Sequence, residues 1–201
     1  MTDCLVTGMP NVGKTCFVIN FAEYLGLDRL KLSIKQPAGY TSIRSYSVTE
    51  AREQLVSPES NFTDSVQSID IEIPSGKVIK KLKIIDSCGL GDGIHPEYEV
   101  RLAMATTIRL IKNSDLILHI IDLTQLNMNS DELLQSVDKM IMNYASLEKN
   151  YAILANKVDL KTVKDRVNLL KNVINDKVII PISALYKYGF KEVKKLVLSY
   201  V

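Results

Sequence analysis

The stretch Gly8-Met-Pro-Asn-Val-Gly13-Lys14-Thr15 matches a phosphate-binding loop, the pattern GxxxxGK followed by Ser or Thr. A short buried strand is predicted just before it, over residues 3–7, and a helix just after it, over residues 15–26. Glycine lets the backbone wrap a phosphate, and N–H groups at a helix N-terminus point toward bound anions. We therefore expect Lys14 to reach the β- and γ-phosphates of a nucleotide and the Thr15 hydroxyl to bind Mg²⁺. The residues predicted to contact the nucleotide here are Asn11, Val12, Gly13, Lys14, Thr15 and Cys16.

Apolar strand patterns and helical patterns alternate along the rest of the chain. Strands are predicted over residues 66–73, 78–86, 115–122, 151–156 and 177–182, and helices over 97–112, 130–148 (with Ser130 as N-cap), 161–175 and 187–200. The turn Pro74-Ser-Gly-Lys77 makes the first two of these strands a hairpin. Because apolar strands separated by helices form parallel sheets covered on both faces, we expect one α/β domain over residues 1–201. Its sheet should be mixed, mostly parallel and six-stranded.

Composition narrows the class of protein. The 201 residues carry a net charge of +2, with 46% hydrophobic and 24% charged residues, which are globular values. There is no apolar run of 18 residues that would span a membrane, and no secretory signal pattern at the N-terminus. Three cysteines are too few for a disulfide scaffold or a zinc site. We expect a cytoplasmic protein.

The charge is unevenly distributed. Residues 150–201 hold 10 Lys or Arg against 4 Asp or Glu, which gives 10 − 4 = +6. Such a segment is typical either of RNA or membrane-surface contact or of a solvated helix face, and no arginine-rich or aromatic pattern accompanies it.

An acidic motif ends the predicted strand over residues 78–86. In Asp86-Ser-Cys-Gly89, the carboxylate can hold Mg²⁺, usually through water, and the Gly89 backbone N–H can reach a γ-phosphate. The pattern DxxG is weak alone, because a turn after a strand is common. Its position after a phosphate loop strengthens it.

Two later motifs point to the base. In Asn156-Lys157-Val-Asp159, the Asp159 carboxylate can accept hydrogen bonds from guanine N1 and N2, whereas adenine would leave it unpaired at a cost. We expect Asn156 to brace the phosphate loop and the base edge, and the stem of Lys157 to pack over the ring. In Ser183-Ala184-Leu185, the Ala184 N–H can meet guanine O6.

The ordered set GMPNVGKT, DSCG, NKVD and SAL resembles a GTPase domain of the translation-factor-related class, most closely the Era-, TrmE- and Obg-like bacterial GTPases. The resemblance extends from Cys4 to about Val201. It implies a P-loop G-domain with a six-stranded sheet, GTP and GDP as ligands, and Mg²⁺ as cofactor. Asp159 would then set guanine specificity.

The same resemblance implies a first-switch threonine that closes on Mg²⁺ when GTP is bound. Gly39-Tyr-Thr41 resembles the GxT stretch of the family. The expected metal ligands are therefore Thr15, Thr41 and Asp86. The expected catalytic residues are Lys14, Thr41 and Gly89. Ser42 and Thr49 are alternatives, and Thr41 can also be an ordinary loop residue.

An insert is expected after this switch, over residues 45–66. Ser47 and Glu50 have capping-box spacing, so the stretch TEAREQL predicts a short helix, which Ser57-Pro58 would end. The insert is either a surface elaboration or an element that binds a partner in response to nucleotide.

Two positions depart from a simple GTPase pattern. Leu90 stands where many GTPases use glutamine to orient the attacking water, so hydrolysis should be slow without help. At Asn11 the resemblance implies K⁺ binding beside the phosphates, although Pro-Asn also favours a plain turn. Residues 91–99 form the predicted second switch, and its candidates for orienting water are Asp92, His95, Glu97 and Glu99.

Two functions of different classes remain at this point. One is a GTP-hydrolysing molecular switch, and the other is a nucleotide-dependent interaction module with negligible turnover. An ATP-using kinase or ATPase is opposed by NKVD. The resemblance also implies a second copy meeting across the switches as a candidate partner. The basic C-terminal segment favours contact with RNA or the ribosome, and slow turnover would point to a protein or RNA activator.

Overall fold

The computed structural model describes residues 1–35, 40–56, 65–91, 93, 95–128, 132–146 and 150–201, except for the side chains of Ser75 and Glu99. Within these residues, eight strands form one sheet and six α-helices cover it. The strands are β1 (Thr2–Thr7), β2 (Arg29–Lys35), β3 (Thr41–Ser47), β4 (Val66–Ser75), β5 (Val78–Asp86), β6 (Leu116–Asp122), β7 (Asn150–Asn156) and β8 (Val178–Pro181). The helices are α1 (Lys14–Tyr24), α2 (Val48–Leu55), α3 (Tyr98–Asn113), α4 (Ser136–Ala145), α5 (Arg166–Val173) and α6 (Phe190–Leu198).

The sheet is mixed and mostly parallel, as predicted. Its order is β3-β2-β4-β5-β1-β6-β7-β8. The strands from β5 to β8 run parallel, whereas β3, β2 and β4 are antiparallel to their neighbours and β4 forms the predicted hairpin with β5. The carboxyl ends of the parallel strands therefore lie along one edge of the sheet. Polar side chains at the last positions of these strands can meet there.

The predicted count of six strands is wrong, because the described part of the sheet also contains β2 and β3. In β2 only alternate side chains are buried (Leu30, Leu32 and Ile34), so it lacks the continuous apolar run of a central strand. In β3, an edge strand, Tyr46 is the one fully buried side chain. The alternating pattern of β2 is the signal of a half-buried strand and was missed in the sequence, whereas the edge strand β3 leaves a weak pattern because its partner supplies much of its stability.

Helices cover both faces of the sheet, as expected. On one face α1 and α6 meet through three fully buried aromatic rings: Phe17 lies 5.1 Å from Phe21 and 5.3 Å from Phe190 between ring centroids. On the other face α3 and α4 pack on the sheet through residues such as Ile111 and Ile141. The sheet is thus held rigidly between two apolar layers.

Two predicted helices begin later than the sequence suggests. Residues 132–135 are not helical, because Leu133 and Leu134 turn into the core and the Leu133 carbonyl accepts a 2.9 Å bond from the Asn127 N–H. The helix predicted from residue 130 therefore begins at Ser136, and its expected cap Ser130 lies outside the described residues. The helix predicted over 161–175 starts as a 3₁₀ turn (Lys161–Val163) and becomes α-helical at Arg166.

The last helix is also shorter than predicted. It begins at Phe190 instead of residue 187, because Lys187 and Gly189 both have left-handed backbone angles, with φ values of 61° and 75°. The backbone also bridges Ser183 and Tyr188, which closes residues 183–188 into a loop beside β8. This loop carries the SAL motif.

The short helix expected in the insert is present as α2. Its capping box is complete: the Ser47 hydroxyl accepts from the Glu50 N–H at 3.2 Å, and the Glu50 carboxylate accepts from the Ser47 N–H at 2.7 Å. Val48 and Ala51 are buried against the core. Part of the predicted insert is therefore packed structure, whereas Ser57-Pro58, the expected end of the helix, lies outside the described residues.

Candidate nucleotide site

The phosphate loop lies between β1 and α1 and requires a glycine at position 13. Gly13 has φ = 98°, and a Cβ atom there would lie 2.6 Å from the Asn156 amide nitrogen. Lys14 follows as the first residue of α1 and is only 6% exposed, with its ammonium donating to the Met9 carbonyl at 2.7 Å. Burial lowers the pKa of Lys14, and the nearby Asp86 charge opposes this. A bound polyphosphate would supply the counter-charge that this buried ammonium lacks.

The expected metal ligands Thr15 and Asp86 are in contact. The Thr15 hydroxyl donates to one Asp86 carboxylate oxygen at 2.7 Å. The carboxylate is almost fully buried, and its second oxygen has no hydrogen-bond partner among the described residues. A hydroxyl and a carboxylate oxygen are the hard ligands that Mg²⁺ prefers, so the pair fits a magnesium ion completed by phosphate oxygens and water.

The buried carboxylate makes the stability of the ligand-free protein depend on pH. Burial raises the pKa of Asp86 from 3.8 to about 6, against the lowering effects of the Thr15 hydrogen bond and the Lys14 charge. The folded state thus binds more protons than the unfolded state between these values, so the free energy of unfolding falls as pH rises through this window, by about 3 kcal/mol in total, and stays lower above it.

Replacing Asp86 with asparagine tests whether the buried carboxylate lowers the free energy of unfolding at high pH. Without nucleotide or Mg²⁺, Asp86→Asn should raise the free energy of unfolding at pH 8 by up to about 3 kcal/mol, because asparagine cannot ionise. At pH 4 the two proteins should be nearly equal. Urea unfolding at both pH values measures the difference. Equal stabilities at pH 8 would contradict the argument.

Asn156 joins the phosphate loop to the loop of residues 183–188. The sequence predicted that Asn156 would brace the phosphate loop and the base edge. Its amide nitrogen donates to the Val12 carbonyl at 2.8 Å, and its amide oxygen accepts from the Ala184 N–H at 2.9 Å. Asn156 is 3% exposed, so water does not substitute for these bonds. One side chain at the end of β7 therefore sets the spacing between the phosphate and base regions.

Removing this bridge should destabilise the fold. Asn156→Ala leaves the Val12 carbonyl and the Ala184 N–H buried without a partner, so we expect a loss of about 2–4 kcal/mol in the free energy of unfolding. The matched control is Asn150→Ala at the exposed start of the same strand, with an expected change under about 1 kcal/mol. Denaturant titration compares them, and equal losses would refute a special role for Asn156.

The remaining predicted base contacts lie close together after β7 and β8. Asp159 is half-buried in the turn after β7, and Ser183 and Ala184 are buried while Leu185 is exposed. The Lys157 ammonium pairs with the buried Asp122 carboxylate at 2.6 Å. The Ala184 N–H already donates to Asn156, so the predicted bond to guanine O6 requires this N–H to be shared. These contacts with the base stay predictions.

The DSCG motif packs directly against the phosphate loop. A Cβ atom on Gly89 would lie 2.8 Å from the Pro10 nitrogen, so only glycine fits there. The Leu90 N–H donates to the Gly8 carbonyl at 3.1 Å, while the Leu90 side chain is buried in an apolar cluster with Leu5. Gly89 is therefore beside the phosphate region, and Leu90 is held away from any attacking water.

Thr41 is not brought together with Thr15 and Asp86. It is exposed at the start of the edge strand β3, opposite Lys35 of β2, which is opposite Val66 of β4. Since β4 pairs with β5 and the latter ends at Asp86, Thr41 lies three strand spacings away, or about 14 Å. The structure therefore does not bring Thr41 to the site, because β2 and β4 lie between it and Asp86, and its role as a metal ligand stays a prediction. Of the alternatives, Ser42 is the next residue of β3 and Thr49 is exposed on α2.

The other predicted loop residues divide into two groups. Asn11 is exposed with a left-handed φ of 61°, which asparagine tolerates, so its backbone already accounts for its presence. The side chain of Val12 is buried in the core and Cys16 is half-buried, so their predicted nucleotide contacts must come from backbone N–H groups.

The predicted second switch is described only in part. His95 accepts a hydrogen bond from the Glu97 N–H at 3.2 Å, and Asp92 lies outside the described residues.

Sequence reasoning missed two buried polar residues near the site. Asp122 closes the fully buried β6. One of its carboxylate oxygens accepts from both the N–H and the hydroxyl of Thr124, and the other forms an ion pair with Lys157. Asn20 is buried in α1 and donates to the Ala184 carbonyl. An acid that ends an apolar strand was a visible signal for Asp122, whereas nothing local marks Asn20.

A separate apolar pocket of about 390 Å³ lies between α3 and α4, beside Leu90 and Gly91. The described residues of its lining include Met104 and Val137 and no charged side chain. These residues offer a nucleotide polyphosphate no counter-charge, so the pocket is distinct from the site at the strand ends.

Comparison with known proteins agrees with this geometry. Residues 3–157 match the family model described as "50S ribosome-binding GTPase", which covers well over half of the chain. A comparison with curated protein sequences finds no match. Among the described residues, no helix has the length and apolar character needed to cross a bilayer.

Three solved structures are similar in fold. An Era variant from Aquifex aeolicus bound to GDP and AlF₄⁻ is 18% identical, with a TM-score of 0.62 over 100% of this chain and 57% of that chain. Era in complex with MgGDPNP and a 16S ribosomal RNA segment is 20% identical, with a TM-score of 0.64 over 99% of this chain and 56% of that chain. The FeoB G-domain from Methanococcus jannaschii is 20% identical, with a TM-score of 0.53 over 100% of this chain and 98% of that chain. This chain thus spans just over half the length of the Era chains that it matches.

Proposed function

Because the chain belongs to the family of 50S ribosome-binding GTPases, we propose that it is a Mg²⁺-dependent molecular switch that hydrolyses GTP slowly to GDP and phosphate. The observation that carries the proposal is the joining of three regions by buried polar contacts. Thr15 touches Asp86, Lys14 lies in the phosphate loop, and Asn156 links that loop to Ala184. The proposed location of the chain is the cytoplasm.

The chemistry needs positioning and charge more than a strong base. A water molecule attacks the γ-phosphorus, the bond to the bridging oxygen breaks, and GDP leaves. Lys14 and the loop N–H groups stabilise the charge on the phosphate oxygens, and the proposed role of the Gly89 N–H is to detect the γ-phosphate. When bound by Thr15 and Asp86, Mg²⁺ neutralises phosphate charge. With Leu90 buried, no glutamine orients the water at this position, which supports slow intrinsic turnover.

The identity of the switch threonine is tested by mutation. Thr41 is the first candidate and Ser42 and Thr49 are the alternatives, although Thr41 lies on the edge strand β3, away from Thr15 and Asp86, in this structure. A switch threonine that closes on Mg²⁺ when GTP is bound should lower GTP turnover at least tenfold when it is changed to alanine. Turnover within about twofold of the wild type in Thr41→Ala would exclude Thr41 from this role.

A K⁺ ion beside the phosphates is a finer part of the proposal. Asn11 supports it because the residue is exposed in the loop between Pro10 and Val12, where its amide oxygen is available to a cation. A cation there would stabilise transition-state charge as an arginine finger does. If K⁺ activates, dimerisation across the switches becomes the associated proposal for a partner.

A partner on the ribosome is the weaker part of the proposal. The observation that favours it is the basic C-terminal segment, including Lys191 and Lys195 exposed on α6. The similar Era structure contains 16S ribosomal RNA, which is a property of that protein.

The alternative function, an interaction module with negligible turnover, is favoured by buried Leu90 and by the packed insert helix α2.

The first experiment measures phosphate release from GTP with Mg²⁺, in KCl and in NaCl at matched ionic strength. The GTPase proposal predicts turnover that is lost in Asp86→Ala. A gain of tenfold or more in KCl that disappears in Asn11→Ala would support the K⁺ site. Equal rates in the two salts would refute it. Turnover that stays at background in every cation, with tight GTP binding, would favour the interaction module.

A further inference from the structure

Residues 183–188, which carry the SAL motif, form the predicted base-recognition loop, and the backbone of Ala184 in this loop is held from two sides. Its N–H donates to Asn156, and its carbonyl accepts a 2.7 Å bond from the amide nitrogen of Asn20. Asn20 lies in the middle of α1 and is 2% exposed. A buried asparagine with no apolar role is costly unless its amide is fully bonded, so this contact is a specific structural feature.

Arg52 of the insert helix α2 holds the Asn20 amide from the opposite side. The Arg52 Nε donates to the Asn20 amide oxygen at 2.7 Å. A guanidinium has only donors and the Ala184 carbonyl only accepts, so both neighbours favour the orientation in which the amide oxygen faces Arg52 and the amide nitrogen faces Ala184. Without Arg52, the buried amide oxygen loses its donor, and the amide is held against the Ala184 carbonyl from one side only.

Glu23 of α1 connects α2 to the second end of the loop of residues 183–188. Its carboxylate pairs with the Arg52 guanidinium and with the Lys187 ammonium, the latter at 2.5 Å. The Lys187 hydrogen bond is the main reason that the pKa of Glu23 lies below its usual value. Lys187 belongs to the loop of residues 183–188, so α2 reaches this loop at Ala184 through Asn20 and at Lys187 through Glu23.

We propose that Arg52 and Asn20 are positioning residues for guanine recognition, through which α2 holds the base-recognition loop in its binding position. This inference rests on the proposed guanine-nucleotide function. It assigns a role to the described part of the insert: α2 sets how long guanine nucleotide stays bound, although none of its residues is among the predicted nucleotide contacts.

The test compares GDP and ADP affinities, measured with fluorescent mant-nucleotides, for wild type and Arg52→Ala. Both nucleotides use the phosphate loop, but only guanine uses the base-recognition loop. Arg52→Ala should weaken GDP binding about tenfold, mainly through faster dissociation, and leave the ADP affinity within about twofold. Arg52→Lys should recover part of the loss, because lysine can still donate to the Asn20 oxygen. Glu23→Gln should give a smaller loss in the same direction.

The matched control is Arg109→Ala, an exposed arginine on α3 on the opposite face of the sheet, which should change neither affinity. Unchanged GDP affinity in a folded Arg52→Ala protein would overturn the proposal, and so would an equal loss for GDP and ADP, which would mean general loosening. Asn20→Ala should show the same selective loss of GDP affinity, and if that variant fails to fold, the Arg52 and Glu23 variants still decide the question. A wild-type protein that binds ADP as tightly as GDP would overturn the guanine-nucleotide function itself and this role with it.

Discussion

Lys14→Ala should lower the affinity for GTP by about a hundredfold or more and reduce turnover to background. Lys14 is the cation of the phosphate loop and is held almost entirely out of water. In such a site, each hydrogen bond from an ammonium to a phosphate is stronger than an exposed ion pair, at about 1.5–3 kcal/mol. Loss of contacts to two phosphates therefore amounts to at least two factors of ten.

Isothermal titration calorimetry with GTP and Mg²⁺ measures this loss directly. The control is Lys171→Ala, an exposed lysine on α5, with an expected change below twofold. The free energy of unfolding of the ligand-free protein should not fall in Lys14→Ala, because the mutation removes a buried cation whose pKa is already lowered by desolvation. An affinity near that of the wild type would place the phosphates elsewhere and remove the basis of the proposed function.

Asp159→Asn should exchange guanine for xanthine selectivity. The carboxylate can accept from both guanine N1–H and the N2 amino group, whereas asparagine keeps one acceptor and turns an NH₂ group toward the N2 amino group. Two donors then face each other in a half-buried turn, so GTP affinity should fall on the order of a thousandfold. Xanthine has a carbonyl at C2, which accepts from the new amide, so XTP should bind more tightly than GTP.

Competition of GTP, XTP and ATP against a fluorescent guanine or xanthine nucleotide measures the exchange. Asp165→Asn, an exposed acid at the start of α5, is the matched control and should keep the wild-type order. A parallel loss of all three nucleotides would mean that Asp159 maintains the turn after β7 and does not read the base.

Much of the fold and of the phosphate site could be predicted from the sequence, because their signals are contiguous. The eight residues GMPNVGKT, a preceding apolar strand and a following helix suffice to predict the loop. The six predicted strands are all present, since each has a nearly continuous apolar run or a hairpin turn. The contact of Thr15 with Asp86 also follows, because parallel strands bring their carboxyl ends to one edge.

Thr41 shows where local resemblance is insufficient. Its tripeptide matched a family pattern, but the described sheet inserts β2 and β3, and the latter carries Thr41 to the outer edge. Which strand lies at an edge depends on pairings between residues far apart in the sequence, such as Lys35 with Val66. No local pattern contains that information.

The sequence by itself thus determined the family, the nucleotide-binding loop, and Asp86 at the end of a buried strand, because short-range spacing and burial patterns specify them. Only the tertiary structure decided which distant polar groups meet around Asn20, which contacts both Ala184 and Arg52. Arg52 and Ala184 are 132 residues apart, since 184 − 52 = 132. A hydrogen bond requires its two atoms to lie within about 3 Å in a fixed orientation, and the packing of α1 and α2 on the sheet is what provides this.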